Sequence, residues 1–112
     1  MGICNAVQKG ILHAVNGSFS SKWATVSREC GCVTGILDYE WGNGVKVDDI
    51  DKHLSSGKYD VFAMVHNETS TGIMNPLGEI AQIMKKYPDV MFLVDTVSSM
   101  SSVKIEVDEL GI

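Results

Sequence analysis

The run Val90-Met91-Phe92-Leu93-Val94, which ends at Asp95, decides the fold of this 112-residue chain. Five consecutive apolar residues without polar alternation predict a strand that is buried on both faces of a parallel sheet. The runs at 11–15 and 61–65 are almost as apolar and predict two more such strands. An ionised carboxylate at the end of a buried strand is costly unless a cation or several hydrogen-bond donors face it. Asp95 is therefore the first candidate functional residue.

Helical periodicity separates the predicted strands, because apolar residues recur three and four positions apart between them. The chain predicts strands at 11–15, 33–39, 61–65 and 90–94, helices at 18–30, 48–54 and 75–87, the end of a helix before residue 10, and a mixed tail at 104–112. Four strands joined by helices pair in parallel through right-handed crossovers. The predicted fold class is therefore α/β, with three layers around a mostly parallel sheet.

The predicted helices carry capping residues and one long apolar face. Gly10 is the predicted C-cap of the first helix, and Asp48 and Asn75 are the predicted N-caps of two later ones. The helix at 18–30 is predicted to pack on the sheet through four residues at helical spacing, Phe19, Trp23, Val26 and Cys30. It is expected to end at Gly31.

Polar residues are concentrated after three of the four predicted strands. They are Asn16-Gly17, the segment His66–Gly72 and the segment Asp95–Ser99. In parallel α/β sheets, ligands bind beyond the carboxyl ends of the strands, near the point where the strand order reverses. The second strand ends at the less polar Glu40-Trp41, which suits an edge position. We therefore predict the spatial order 2-1-3-4 and a site above strands 1, 3 and 4.

Composition argues against several classes of function. Nine Lys and Arg against fourteen Asp and Glu give a formal charge of -5 without a basic cluster, so nucleic acid is not an expected partner. No apolar run approaches membrane-spanning length and the first residues lack a signal-peptide pattern, so we expect a cytoplasmic protein without a membrane partner. Three cysteines without a ligand-like spacing of histidines predict reduced thiols and no metal site.

On the residues alone, Asp95 has more than one interpretation. An aspartate at a strand end is more often a cap or a turn residue than a catalytic group. A stand-alone flavodoxin-like binding or signalling module is the alternative function, and Asp95 would then be an acceptor or a metal carboxylate. Receiver-type chemistry requires an acidic cluster near the chain start and a later lysine at a strand end, and neither is evident.

Several motifs together resemble the class V aminotransferases. They are His66-Asn67-Glu68-Thr69-Ser70-Thr71-Gly72, Asn75-Pro76-Leu77, Val94–Ser99, and Val15–Phe19 with Trp23. The resemblance covers nearly the whole chain and is closest to the serine–pyruvate and alanine–glyoxylate branch. It implies a fold type I enzyme that uses pyridoxal 5'-phosphate, is a homodimer, and moves an amino group from a small amino acid such as serine or alanine to a 2-oxo acid such as pyruvate or glyoxylate.

The resemblance also implies roles for individual residues. Asp95 would be the catalytic carboxylate that pairs with the protonated pyridine nitrogen of the cofactor and keeps the ring cationic. The Thr69 hydroxyl would donate to the phenolic oxygen of the cofactor, and Phe19 would stack on the pyridine face. His66 and Glu68 are secondary candidates for the substrate pocket, although Glu68 is equally suited to capping a helix.

The sequence also departs from the family pattern. The lysine that forms the Schiff base in the family has no counterpart here, because Lys104 does not match its motif. The phosphate-binding loop and the C-terminal small domain have no counterpart either. We therefore interpret residues 1–112 as the central part of a cofactor-binding large domain, inactive by itself. The last strand would expose an apolar edge, so self-association is expected.

Overall fold

A computed structural model describes residues 2–112, and its centre is a four-stranded parallel sheet. Its strands are β1 (Ile11–Val15), β2 (Thr34–Asp38), β3 (Val61–Val65) and β6 (Met91–Asp95), in the spatial order β2-β1-β3-β6. Between β3 and β6 along the chain, β4 (Asn67–Glu68) and β5 (Ile73–Met74) form a small antiparallel hairpin. Since β6 is the fourth predicted strand, the predicted order 2-1-3-4 is confirmed.

Helices cover both faces of the sheet. They are α1 (Gly2–Ala6), α2 (Ser18–Glu29), α3 (Val47–Leu54), α4 (Leu77–Met84) and α5 (Val107–Leu110). Because successive strand residues point to opposite faces, Leu12 and Phe62 join a core with α3 and α4, whereas Ile11 and Val61 join a smaller cluster with Trp23 of α2. The predicted three-layer α/β fold is confirmed. None of the helices in residues 2–112 is long and apolar enough to cross a bilayer.

The predicted sheet-facing side of α2 is right for Trp23, which packs against Ile11 and Val61, and wrong for Phe19 and Cys30. The buried residues of α2 are small ones, namely Ser20, Ala24 and Ser27. Phe19 is 48% exposed and Cys30 lies at the surface, while Trp23 is half-buried. Small side chains allow the helix to lie close to the sheet, and Ser27 Oγ shares a hydrogen bond of 2.8 Å with Nε2 of the buried His13. The prediction counted bulky apolar residues, but a buried histidine in β1 requires a polar partner on the helix.

Three predicted caps differ from the structure, and one helix stop agrees with it. Asp48 lies inside the first turn of α3 rather than before it, and the side chain of Asn75 makes no capping bond to α4. Gly10 is buried beyond the end of α1, where a Cβ would lie 3.0 Å from the Lys58 carbonyl oxygen. Close approach of two backbone segments therefore explains this glycine. Gly31, with φ +84°, follows α2 as predicted.

The edge strands and the tail agree with the sequence prediction. β2 and β6 lie at the two edges of the sheet, and Met91 of β6 is 49% exposed. The mixed tail at 104–112 contains α5, a single helical turn, and its Leu110 is packed against the larger core.

Asp60 closes the amino edge of the sheet. Its carboxylate accepts hydrogen bonds from the backbone N–H groups of Gln8, Lys9 and Gly10 at 2.8, 3.0 and 3.0 Å, and both of its oxygens take part. Burial acts to raise the pKa of Asp60, but these hydrogen bonds outweigh it and lower the pKa below its ordinary value. Asp60 thereby joins the segment before β1 to the turn before β3.

Candidate active site

The loops that follow β1, β3 and β6 meet at the carboxyl edge of the sheet, as predicted. The backbone N–H of His66 donates to the carbonyl of Asp95 at 2.9 Å. Asn67 Nδ2 donates to Ser98 Oγ at 3.0 Å, and the same hydroxyl donates back to the Asn67 carbonyl at 3.0 Å. The loop after β1 is attached through the backbone N–H of Ser18, which donates to a hydroxyl of the β4–β5 turn at 2.9 Å. Direct hydrogen bonds therefore hold all three loops together.

Asp95 has hydrogen-bonding capacity that the protein does not use. It is the last residue of β6, lies beside Val65 of β3 and is half-buried. Its Oδ1 accepts a hydrogen bond from the backbone N–H of Val97 at 3.0 Å, while Oδ2 has no partner among residues 2–112. One carboxylate oxygen is therefore available to a ligand at this edge, and the other fixes the orientation of the group.

Thr69 and Phe19 present groups of two further kinds at the same edge. Thr69 lies in the turn between β4 and β5, where its side chain is exposed and its hydroxyl has no hydrogen-bond partner in the described part of the chain. Phe19 lies in the first turn of α2 and is half exposed, with Lys22 Nζ 5.4 Å from the centre of its ring. The edge thus offers a carboxylate, a hydroxyl and an aromatic surface.

Glu68 caps α2 from a different part of the chain. Its fully buried carboxylate accepts hydrogen bonds from the backbone N–H groups of Phe19 (3.1 Å) and Ser20 (3.0 Å) and from the hydroxyls of Ser20 and Ser70 (both 2.8 Å). Burial acts to raise the pKa of Glu68, but these hydrogen bonds outweigh it and lower the pKa. Gly17 permits this arrangement, because a Cβ there would lie 2.2 Å from Glu68 Cγ. Of its two predicted roles, helix capping agrees with these contacts.

His66 is joined to Asp95 by a backbone hydrogen bond and is almost fully buried. Its Nδ1 shares a hydrogen bond of 2.9 Å with Ser99 Oγ, and its carbonyl accepts a hydrogen bond from the Asn75 N–H at 2.7 Å. Burial lowers the pKa of His66, which favours the neutral ring. His66 also lines a cavity of about 430 Å³ between α4 and the tail, and Asp95, Thr69 and Phe19 do not line this cavity. The cavity therefore adjoins the candidate site without containing its exposed groups.

Two buried asparagines support the site; the sequence placed Asn16 at this edge without a role and assigned Asn75 to a helix cap. Asn16 Nδ2 donates to the Asn43 carbonyl and to Asn75 Oδ1, both at 3.0 Å. Asn75 Oδ1 also accepts from the Val45 N–H at 3.0 Å, and its Nδ2 donates to the Val65 carbonyl at 2.7 Å. A sequence signal for this role was an asparagine that follows a buried strand or lies opposite one. A buried amide group needs several hydrogen-bond partners, so such an asparagine indicates a polar contact between loops.

The sequence of this chain matches one known protein family. The family described as aminotransferase class V matches residues 8–112. The chain belongs to the class V aminotransferases. An uncharacterised aminotransferase of Methanocaldococcus jannaschii is 36% identical to it over 117 residues, which covers 100% of this chain and 30% of the relative. The L-aspartate–glyoxylate aminotransferase of Paracoccus denitrificans is 32% identical over 117 residues, which covers 98% of this chain and 29% of the relative.

A solved class V structure shares the architecture described above. The alanine–glyoxylate aminotransferase from Nostoc sp. superposes with a TM-score of 0.87 at 29% identity, and the superposition covers 98% of this chain and 29% of that one. The chain therefore spans about 30% of the length of the curated relatives that it matches.

Membership of the class V aminotransferases implies pyridoxal phosphate as the cofactor, and the exposed groups of this edge fit that molecule. A cationic ring nitrogen requires a carboxylate oxygen, which Asp95 Oδ2 can provide. A phenolic oxygen requires a hydrogen-bond donor, and the Thr69 hydroxyl is available. A flat heterocycle requires an aromatic or apolar surface, and half of the Phe19 surface is exposed. The donor set therefore agrees with the cofactor that the family implies.

Proposed function

We propose that this chain forms the cofactor-binding centre of a pyridoxal-phosphate-dependent aminotransferase. The proposed reaction moves an amino group from a small amino acid, such as serine or alanine, to a 2-oxo acid, such as pyruvate or glyoxylate. The names of the relatives, which include aspartate–glyoxylate and alanine–glyoxylate aminotransferases, support an amino acid donor and glyoxylate as acceptor. The alternative of a stand-alone flavodoxin-like module has no support from the comparisons.

The unpaired oxygen of Asp95 is the observation that carries this proposal. When bound, the cofactor supplies an electron-withdrawing ring that stabilises negative charge developing at the substrate Cα. In our proposal, Asp95 Oδ2 would accept a hydrogen bond from the protonated ring nitrogen and thereby keep that nitrogen protonated. The bond from the Val97 N–H to Oδ1 holds the carboxylate in position, so little reorientation is needed on binding.

Thr69 and Phe19 have orienting roles in the proposed site. The Thr69 hydroxyl would donate to the phenolic oxygen of the ring and help to orient it. Phe19 would stack on the ring and exclude water from that face. The backbone N–H of His66 donates to the Asp95 carbonyl and holds that loop in place. In this scheme His66 positions Asp95 and transfers no proton.

Residues 1–112 supply only some of the groups that the proposed reaction needs. None of the lysines in residues 1–112 matches the family's Schiff-base segment, so we expect no turnover from these residues alone. We propose that the complete enzyme is a homodimer of the cytoplasm, in which residues 1–112 belong to the large domain.

The experiment measures binding of pyridoxamine 5'-phosphate, which carries an amine and cannot condense with surface lysines. Its absorbance is titrated against pH, free and with the chain. We expect the pKa of the ring nitrogen to rise on binding, because Asp95 stabilises the protonated ring. Asp95→Asn is expected to remove that rise.

Asp38→Asn is the matched control, because Asp38 also ends a strand at the carboxyl edge and is exposed. It should leave the rise in the ring pKa intact. Equal spectra for Asp95→Asn and the unchanged chain, or no binding by the unchanged chain at millimolar ligand, would contradict the proposed site.

A further inference from the structure

The carboxylate of Glu68 connects two elements that carry separate parts of the proposed site. Glu68 directly precedes Thr69 in the β4–β5 hairpin. Its Oε1 accepts a hydrogen bond from the backbone N–H of Phe19 in α2 at 3.1 Å. These residues are 49 positions apart in the chain. α2 has no side-chain N-cap of its own at Gly17, so Glu68 supplies the acceptor that the first turn lacks.

We propose that Glu68 is a positioning residue for the cofactor ring, because its carboxylate holds Phe19 at a fixed place relative to the loop that carries Thr69. This inference rests on the proposed function. Glu68 is fully buried and its carboxylate is occupied by four donors, so it acts through Phe19 and does not touch the cofactor.

The chemistry of the donors requires a carboxylate at this position. The backbone N–H groups of Phe19 and Ser20 can only donate, and they bond to different oxygens, Oε1 and Oε2. A carboxamide has one acceptor oxygen and one NH₂ group, so one of the two backbone N–H groups would face another donor. The serine hydroxyls can rotate to accept, but a backbone N–H cannot. Glu68→Gln therefore leaves one buried donor without an acceptor.

Steric contact prevents the side chain from adjusting. Gly17 lies so close that an added Cβ would come within 2.2 Å of Glu68 Cγ and 2.4 Å of Cδ. Gly17 therefore packs directly against the stem of Glu68, and we expect the first turn of α2 to shift if the carboxylate contacts change. Phe19, which lies in that turn and is half exposed, would move with it.

Asp60 provides a matched control for a purely structural effect. Its carboxylate also accepts three backbone N–H groups, but it does so at the opposite edge of the sheet. Glu68→Gln and Asp60→Asn therefore make the same chemical change at two places. If Glu68 only stabilises the fold, the two variants should have the same affinity for the ligand in their folded populations.

The test measures the dissociation constant of pyridoxamine 5'-phosphate for the folded 112-residue chain. We expect Glu68→Gln to weaken binding on the order of tenfold, because displacement of Phe19 would remove its stacking contact with the ring. Asp60→Asn should stay within about twofold of the unchanged chain, since its bonds lie away from the site. The amide proton of Phe19 or Ser20 should also shift upfield in Glu68→Gln, because a carboxylate acceptor is lost.

A double-mutant cycle separates positioning from other effects. If Glu68 acts through the ring of Phe19, Glu68→Gln should cause no further loss of binding in a Phe19→Ala background. Additive losses would overturn the inference, as would equal affinities of Glu68→Gln and the unchanged chain. No binding by the unchanged chain would instead reject the proposed function, and this inference with it.

Ser70→Ala keeps the inference testable if Glu68→Gln does not fold. It removes the hydroxyl that donates to Oε1 and accepts from the Ser18 N–H, and it leaves both backbone contacts of the carboxylate in place. We expect it to weaken binding about two- to threefold, because the carboxylate is held less tightly. Unchanged affinity in Ser70→Ala would overturn the inference.

Discussion

The two edges of the parallel sheet both depend on a carboxylate, but they use their polar groups differently. At the amino edge, both oxygens of Asp60 accept backbone N–H groups. At the carboxyl edge, Glu68 is similarly saturated, whereas Asp95 Oδ2, the Thr69 hydroxyl and the buried Asn16 Oδ1 have no partner within residues 2–112. Both oxygens of Asp60 are therefore committed to the fold, whereas half-buried Asp95 keeps one oxygen available for a ligand.

The largest loss of stability is expected from a substitution that disturbs the packing of Gly17 against Glu68 at the carboxyl edge. Gly17→Ala would place a Cβ 2.2 Å from Glu68 Cγ, and the four hydrogen bonds of Glu68 oppose its displacement. We expect the free energy of unfolding, measured by urea denaturation, to fall by about 3 kcal/mol.

Gly78→Ala is the control for the helical and chain-entropy effects of an added methyl group. Gly78 lies in α4, where a Cβ would meet nothing within 4 Å. We expect this variant to be more stable by about 0.5 to 1 kcal/mol. A loss smaller than about 1 kcal/mol in Gly17→Ala would show that the carboxyl edge is more adaptable than these contacts indicate.

A second effect of similar size concerns the C-terminal half of α2, which is bonded through Ser27 to His13 in the sheet. Burial lowers the pKa of His13 from 6.5 to about 4, so the folded state resists protonation. As pH falls from 6.5 towards 4, the unfolded chain binds a proton that the folded chain does not, and stability declines. The free energy of unfolding falls by about 3 kcal/mol in total, and this loss is complete below the pKa of His13 in the folded state.

Urea denaturation at several pH values between 7.5 and 4 measures this loss. His13→Gln removes the titrating group and leaves an amide that can bond to Ser27 Oγ. The variant should therefore show a smaller decline of stability over the same range. An unchanged decline in His13→Gln would assign the acid sensitivity to other groups.

The smallest expected effect on stability compares Asp95 with Asp60 directly. Asp60→Asn should lower the free energy of unfolding by about 1 kcal/mol, because one of its backbone donors loses an acceptor at a partly exposed position. Asp95→Asn should change it by less than about 0.5 kcal/mol, because only the bond from Val97 is affected. Thermal and urea denaturation of the two variants under one set of conditions make the comparison.

A large loss of stability in Asp95→Asn would contradict the distinction between the two edges. Asp95 would then be a structural group like Asp60, and its role in the proposed site would lose its basis. If instead Asp95→Asn leaves stability nearly unchanged and removes the rise in the ring pKa, the distinction becomes sharper.

Prediction from the sequence succeeded where the signal was local. The runs at 11–15 and 61–65 are strands with those limits, and the polar segments after them lie at one edge of the sheet. The predicted sheet-facing side of α2 was right only for Trp23, because Ser20 and Ser27 are buried through hydrogen bonds that no periodicity of apolar residues reveals. Asn75 was predicted to cap a helix, but the hydrogen-bond partners of its side chain lie 10 to 59 positions away in the chain. Local sequence does not reveal such distant partners.

The sequence alone determined the parallel α/β fold, the strand order and, through its motifs, the family. These follow from properties of neighbouring residues, since apolar runs and helical spacing are expressed wherever the chain is ordered. Only the tertiary structure decided that Glu68 caps α2 and that Asp95 retains an unpaired oxygen. A buried polar group takes the donors that the folded chain brings within about 3 Å of it, and the sequence does not encode that distance locally.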